Sequence, residues 1–119
     1  MTAPARLAAL AAKIEVDPAA LAATRAAGDA LADELDGGDA DAGDAALRWR
    51  IAVVRAVIAA PPDGDAVREL YGELVDRYRD QPLRLAELRA LGGEIRRLEA
   101  EGTLARSMVA RSDRRPHRR

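Results

Sequence analysis

The chain has 119 residues, a mass of 12.7 kDa and a net charge of −1, which fits one domain. It has no cysteine, one histidine (His117), one lysine (Lys13) and two serines (Ser107 and Ser112). This excludes disulfides, thiolate catalysis and cysteine-ligated metals, and it leaves the body of the chain without an imidazole for proton transfer.

The sequence predicts helices throughout. No alternating strand pattern and no Asn-Gly or Asp-Gly hairpin is present. The first helix, short and marginal on its own, is expected from about Pro4 to Ile14, with Thr2 as cap. Leu7, Leu10, Ala11 and Ile14 form its apolar stripe. The second is expected from Asp17-Pro18, a cap followed by proline at the first helical position, to Leu35 before Gly37-Gly38. Its inner face reads Leu21, Thr24, Gly28, Leu31, Ala32 and Leu35. Thr24, Gly28 and Ala32 form a small-residue strip that admits a close neighbour, and Gly28 costs about 1 kcal/mol against alanine without such a role.

The linker that follows, Asp36 to Asp44, is rich in aspartate and glycine. Read as a calcium loop from Asp39, it places Gly43 at position 5, Asp44 at the glycine position and Arg50 at the final glutamate position, so the motif fails. The linker reads instead as a solvated turn whose aspartates favour the positive end of the next helix.

The third helix is expected from Asp44 to just before Pro61-Pro62. Leu47, Ile51, Val54 and Ile58 cluster on one side, while Ala46, Trp49, Val53, Ala56, Val57 and Ala60 widen the apolar arc past half the circumference. This makes it the central helix. Trp49 lies nearly opposite Leu47, so either the helix is buried all round or Trp49, Val53 and Val57 face a partner; those three are the candidate interface. Arg50 falls inside the apolar arc, either paired with a carboxylate or extending its head to water.

The fourth helix is expected from about Asp65 to Arg79, with Asp63 or Asp65 as cap and Val67, Leu70, Tyr71, Leu74, Val75 and Tyr78 inside. Glu73 and Arg77 stand at i, i+4 on its outer face. The fifth is expected from Leu83 to Ala100, with Gly102 as terminator, a seam of Leu88, Leu91, Ile95 and Leu98, and an Arg97–Glu101 pair. Gly92-Gly93 within it marks a kink, a hinge or a close crossing. No nucleotide-binding glycine motif is present.

The fold class expected is therefore all-α: a single-domain bundle over residues 1–110 of four long helices and a short N-terminal one. An Arg-rich tail over 111–119 lacks apolar residues and is expected to be disordered when unbound. No run is long and apolar enough for a membrane span, and no secretory signal is evident near Met1. The expected location is the cytoplasm, with no membrane partner.

Gly, Ala, Arg and Pro make up 61 of the 119 residues, the mark of GC-rich codons and of a bacterial source. That bias accounts for most of the 18 arginines against one lysine. The small net charge conceals a segregated one. Residues 1–47 carry three basic and nine acidic side chains, whereas 106–119 carry six and one.

The composition implies no catalytic residue, no cofactor, no metal site and no evident small-molecule substrate. It points to a non-enzymatic interaction module with a protein partner or self-association. The alternative is nucleic-acid binding through Arg111, Arg114, Arg115, Arg118 and Arg119, by phosphate contacts that weaken steeply with salt and are lost on truncation after Ala110. The same tail also complements the acidic Asp29–Asp44 region, in the same chain or a neighbouring one.

Overall fold

A computed structural model describes residues 1–59 and 63–104. It is all-α. Five helices follow in order: α1 (Ala3–Val16), α2 (Leu21–Leu35), α3 (Ala40–Ala59), α4 (Gly64–Tyr78) and α5 (Pro82–Ala100). A single 3₁₀ turn, Pro18–Ala20, joins α1 to α2.

Most helix ends follow the local chemistry expected of them. The Thr2 hydroxyl accepts from the Ala5 N–H at 3.3 Å, and the Asp63 carboxylate accepts from Asp65 and Ala66 at 3.1 Å. α5 ends in a Schellman turn. Gly102 takes φ +79°, its N–H donates to the Glu99 carbonyl, and the Thr103 N–H donates to Leu98. The turn swings Leu104 back onto the core, where it is buried.

Several details depart from expectation, among them the start of α2, which is Leu21 because Asp17-Pro18 opens the 3₁₀ turn instead. α1 runs on to Val16 and, at 14 residues, nearly matches the 15 of α2. α3 starts at Ala40 rather than Asp44, because Asp39 caps it by accepting from the Ala42 N–H at 2.9 Å. Asp44 is thus a helix residue. The fourth-helix pair Glu73–Arg77 does not form, since Arg77 reaches across to Asp36 at 2.9 Å. Likewise Arg97 and Glu101 meet only through the backbone.

α3 contacts all four other helices, and it separates two apolar cores. On one side Ala46, Trp49, Ala52, Val53 and Ala56 join Leu7, Ala11 and Ile14 of α1 and Ala32 and Leu35 of α2. On the other side Leu47 and Val54 join Val67, Leu74 and Tyr78 of α4 and Leu88, Leu91 and Ile95 of α5. The apolar arc wider than half a turn follows from this position, since a helix between two layers must be apolar on both faces.

Arginine cross-links knit the layers. Arg48 of α3 grips Glu15 of α1 with two bonds of 2.7 and 3.1 Å. Arg55 meets Glu94 of α5 at 3.1 Å, and Arg68 of α4 bridges Asp65 and Glu99. Hydrogen bonding from Arg48 outweighs partial burial and holds the Glu15 carboxyl below its usual 4.5. A depressed carboxyl stabilises the fold fully above 4.5 and loses that contribution as pH falls through the native value. Both side chains are more than a third exposed, so E15Q should cost under about 1 kcal/mol at neutral pH. Urea unfolding should show the cost vanishing in acid below the native value. An undiminished cost there would refute the assignment.

Candidate functional site

A network of charged side chains lies where the C-terminal end of α2 meets α3 and α4. Its centre is Arg50, which the sequence flags as a charge inside an apolar arc. The residue is only 8 % exposed. Its stem passes through the core boundary, and its guanidinium emerges among acceptors from two other elements. Nη1 donates to Asp36 Oδ1 and to the Tyr78 hydroxyl, both at 2.8 Å. Nη2 donates to Asp36 Oδ2 at 2.9 Å and to Asp33 Oδ1 at 3.0 Å. Of the two readings open in the sequence, the structure selects the paired one.

Burial alone would make the Arg50 guanidinium easier to deprotonate. Hydrogen bonds with Asp36 and Tyr78 outweigh that effect and raise its pKa, so it is a permanent cation. Asp36 accepts a further bond from Arg77 at 2.9 Å, bringing three guanidinium contacts to one carboxylate. Gly37, with φ +82°, turns the chain directly after it.

Two recesses flank this network. A cleft of about 190 Å³ is rimmed by Arg25, Asp29, Asp33, Glu73 and Arg77 over a floor that includes Val53 and Leu70. A wider recess of about 390 Å³ lies between Gly38 and Gly43 on one side and Gln81 and Arg84 on the other. Arg84 lies over Gly43, where a side chain would collide with the guanidinium. It binds Asp44 at 3.1 Å, the Ala40 carbonyl at 3.2 Å and Gln81 at 2.7 Å. Arg50, Arg77 and Arg84 are thus engaged in ties between helices, whereas Arg25 pairs with Asp29 within α2. Among the described residues no group of three or more acidic or histidine side chains is placed to hold a metal ion.

Trp49 and Val53 do not form an outer interface. Trp49 is fully buried and Val53 is 4 % exposed, both in the α1–α2–α3 core. Val57 is half-buried against the opposite core. The physical reason is Gly28: the indole lies against the α2 backbone there, and a methyl group at residue 28 would overlap the ring. The indole N–H donates to Asp29 at 2.9 Å, and Arg25 holds that carboxylate from the other side at 2.9 Å. The small-residue strip Thr24, Gly28 and Ala32 is buried along its whole length, as a close crossing requires.

Sequence reasoning missed that Asp33, Asp36 and Tyr78 converge on Arg50. Spacing along one chain does not show which carboxylates a buried cation will meet, although an arginine within an apolar arc was the available signal. The tail residues Arg111, Arg114, Arg115, Arg118 and Arg119 lie outside the described residues.

A third recess differs in character. On the outer side of α1 and α2 a groove of about 420 Å³ is lined by Ala9 and Leu10 of α1, Met1 just before it, Ala27 and Leu31 of α2, and Arg6 at its edge. Met1 is 89 % exposed. No helix among the described residues is long and apolar enough to cross a membrane. Comparison of the chain with protein-family models, with curated proteins and with solved structures finds no match.

Proposed function

We propose that the protein is a non-enzymatic helical interaction module: an adaptor, accessory subunit or assembly component of a bacterial cytoplasm. The observation that supports this most is the contrast between its recesses. At the polar clefts, Arg50, Arg77 and Arg84 are committed to ties between helices. The α1–α2 groove is apolar, open and shallow, a form that suits another helix better than a small substrate.

The test is site-specific photocrosslinking in bacteria. A benzoylphenylalanine at Ala23, exposed one turn from Ala27 on the same face of α2, should give discrete protein adducts. The same group at Glu87, exposed on α5, should give few. Equal or absent adducts at the two positions would overturn the reading.

A further inference from the structure

We infer that the occupant of the α1–α2 groove is a second copy of this chain, seated face to face about a two-fold axis parallel to the helices. This inference rests on the interaction-module reading and names its partner.

The groove sets Met1 and Arg6, at the start of α1, beside Leu31, near the end of α2, so the two helices run antiparallel. Arg6, Ala9, Leu10 and Lys13 fall at i, i+3, i+4 and i+7 and form one stripe of α1. Ala23, Ala27, Ala30 and Glu34 form the matching stripe of α2, beside Leu31. Apart from the half-buried Leu10 and Leu31, all of these residues are exposed. The centre of the face is alanine and leucine, which lets facing helices approach to about 8–10 Å.

The charges say which surface fits. Arg6 stands at one end of the α1 stripe, and Glu34 stands at the same end of the face on α2. Neither makes an ion pair among the described residues. A two-fold axis along the helices lays α1 of one copy over α2 of the other, with ends aligned. Arg6 then meets Glu34 of the second copy, and symmetry repeats the contact. Each α1 also lies antiparallel to the facing α2, so opposite helix dipole ends adjoin, and Arg6 stands at a negative end. A two-fold axis perpendicular to the helices would lay α1 over α1 and lose the Arg6–Glu34 match. The charge pattern therefore selects one arrangement of the two.

Sedimentation velocity of the full chain decides the matter. A dimer is expected at about 100 µM, dissociating on dilution. Ala27→Glu should leave the circular dichroism and melting profile of the monomer intact, because residue 27 is exposed, and should abolish the dimer. Arg6→Glu and Glu34→Arg should each weaken association roughly tenfold, and the double reversal R6E/E34R should recover most of it. A monomeric wild type, a dimer indifferent to Ala27→Glu, or a double reversal as weak as the singles would overturn the inference. A monomeric wild type that still gives Ala23 adducts with a different protein would remove the self-association and leave the interaction-module reading standing.

Discussion

Truncating Trp49 to alanine is expected to destabilise the fold by about 3–5 kcal/mol, a large share of the 5–15 kcal/mol that holds an ordinary domain together. The indole is fully buried and is the largest side chain in the core. Its removal opens a cavity between α2 and α3 and removes the indole bond to Asp29, a half-exposed carboxylate that keeps Arg25. The core it belongs to is rich in alanine, with Ala11, Ala32, Ala42, Ala46, Ala52 and Ala56, side chains that have few atoms with which to collapse into the space.

Gly28→Ala attacks the same contact from the other side. Helix propensity favours alanine by about 1 kcal/mol. Overlap with the indole opposes it, and forcing a methyl group into a packed interface costs about 1–3 kcal/mol or more. A net loss of stability is expected where an unpacked helix would show a gain. The two substitutions are coupled, so G28A should be harmless or favourable once Trp49 is Leu. Urea unfolding of the four species closes the cycle. Trp49 is the single tryptophan, so its fluorescence reports the same displacement directly. A G28A protein as stable as the parent, with unshifted emission, would show that the contact is not what fixes α2 on α3.

Helices were legible in this sequence because their signals are local. The α4 stripe of Val67, Leu70, Tyr71, Leu74 and Tyr78 turns inward as its spacing predicts, and Asp63 caps where an aspartate before a helix should. α3 was legible as central for the same reason. What its arc faced was not, since an apolar surface looks alike whether its cover is another part of the chain or another molecule. The answer lay in Gly28, residues away in sequence, whose missing side chain is the seat of the indole.

Gly92 repeats the device in the second core. The hydroxyl end of the Tyr71 ring lies over it, so that glycine marks a close crossing of α4 and α5, while a methyl group at Gly93 beside it would meet only Arg96 at ordinary contact distance. Of the adjoining pair, one glycine has a packing role and the other does not, and periodicity alone could not separate them. Arginines were the hardest to read. The fold uses several of them between helices: Arg48, Arg50, Arg55, Arg68, Arg77 and Arg84 each tie elements distant in sequence. The α1–α2 groove was illegible because its alanines resemble those of any alanine-rich helix, and only the pairing of α1 with α2 makes them a surface.

Arg50→Ala is expected to cost about 3 kcal/mol, at the low end of the loss from breaking a buried ion pair. The guanidinium is buried, but its partners differ. Asp33 is 68 % exposed and rehydrates freely, and Asp36 is 34 % exposed and keeps Arg77. The uncompensated loss therefore falls on the Tyr78 hydroxyl and on the stem of Arg50, which passes between the two cores. Arg50→Met restores the stem without the charge, and it should recover a substantial part of the loss. Arg50→Lys keeps the charge but has no planar fork to span Asp36 and Tyr78 together, so it should fall between the two. Tyr78→Phe removes one bond and should cost about 1 kcal/mol. In a cycle of Arg50→Ala with Asp36→Ala, the double variant should be more stable than the sum of the singles predicts, because the two Arg50–Asp36 bonds are lost in each single but only once in the double. Additive losses, or an Arg50→Ala variant within about 0.5 kcal/mol of the parent, would contradict the network as drawn. The same variants bear on function. If Arg50 serves only to fix α2 and α4 on α3, Arg50→Met should lower the melting temperature and leave association through the α1–α2 face intact wherever the protein remains folded.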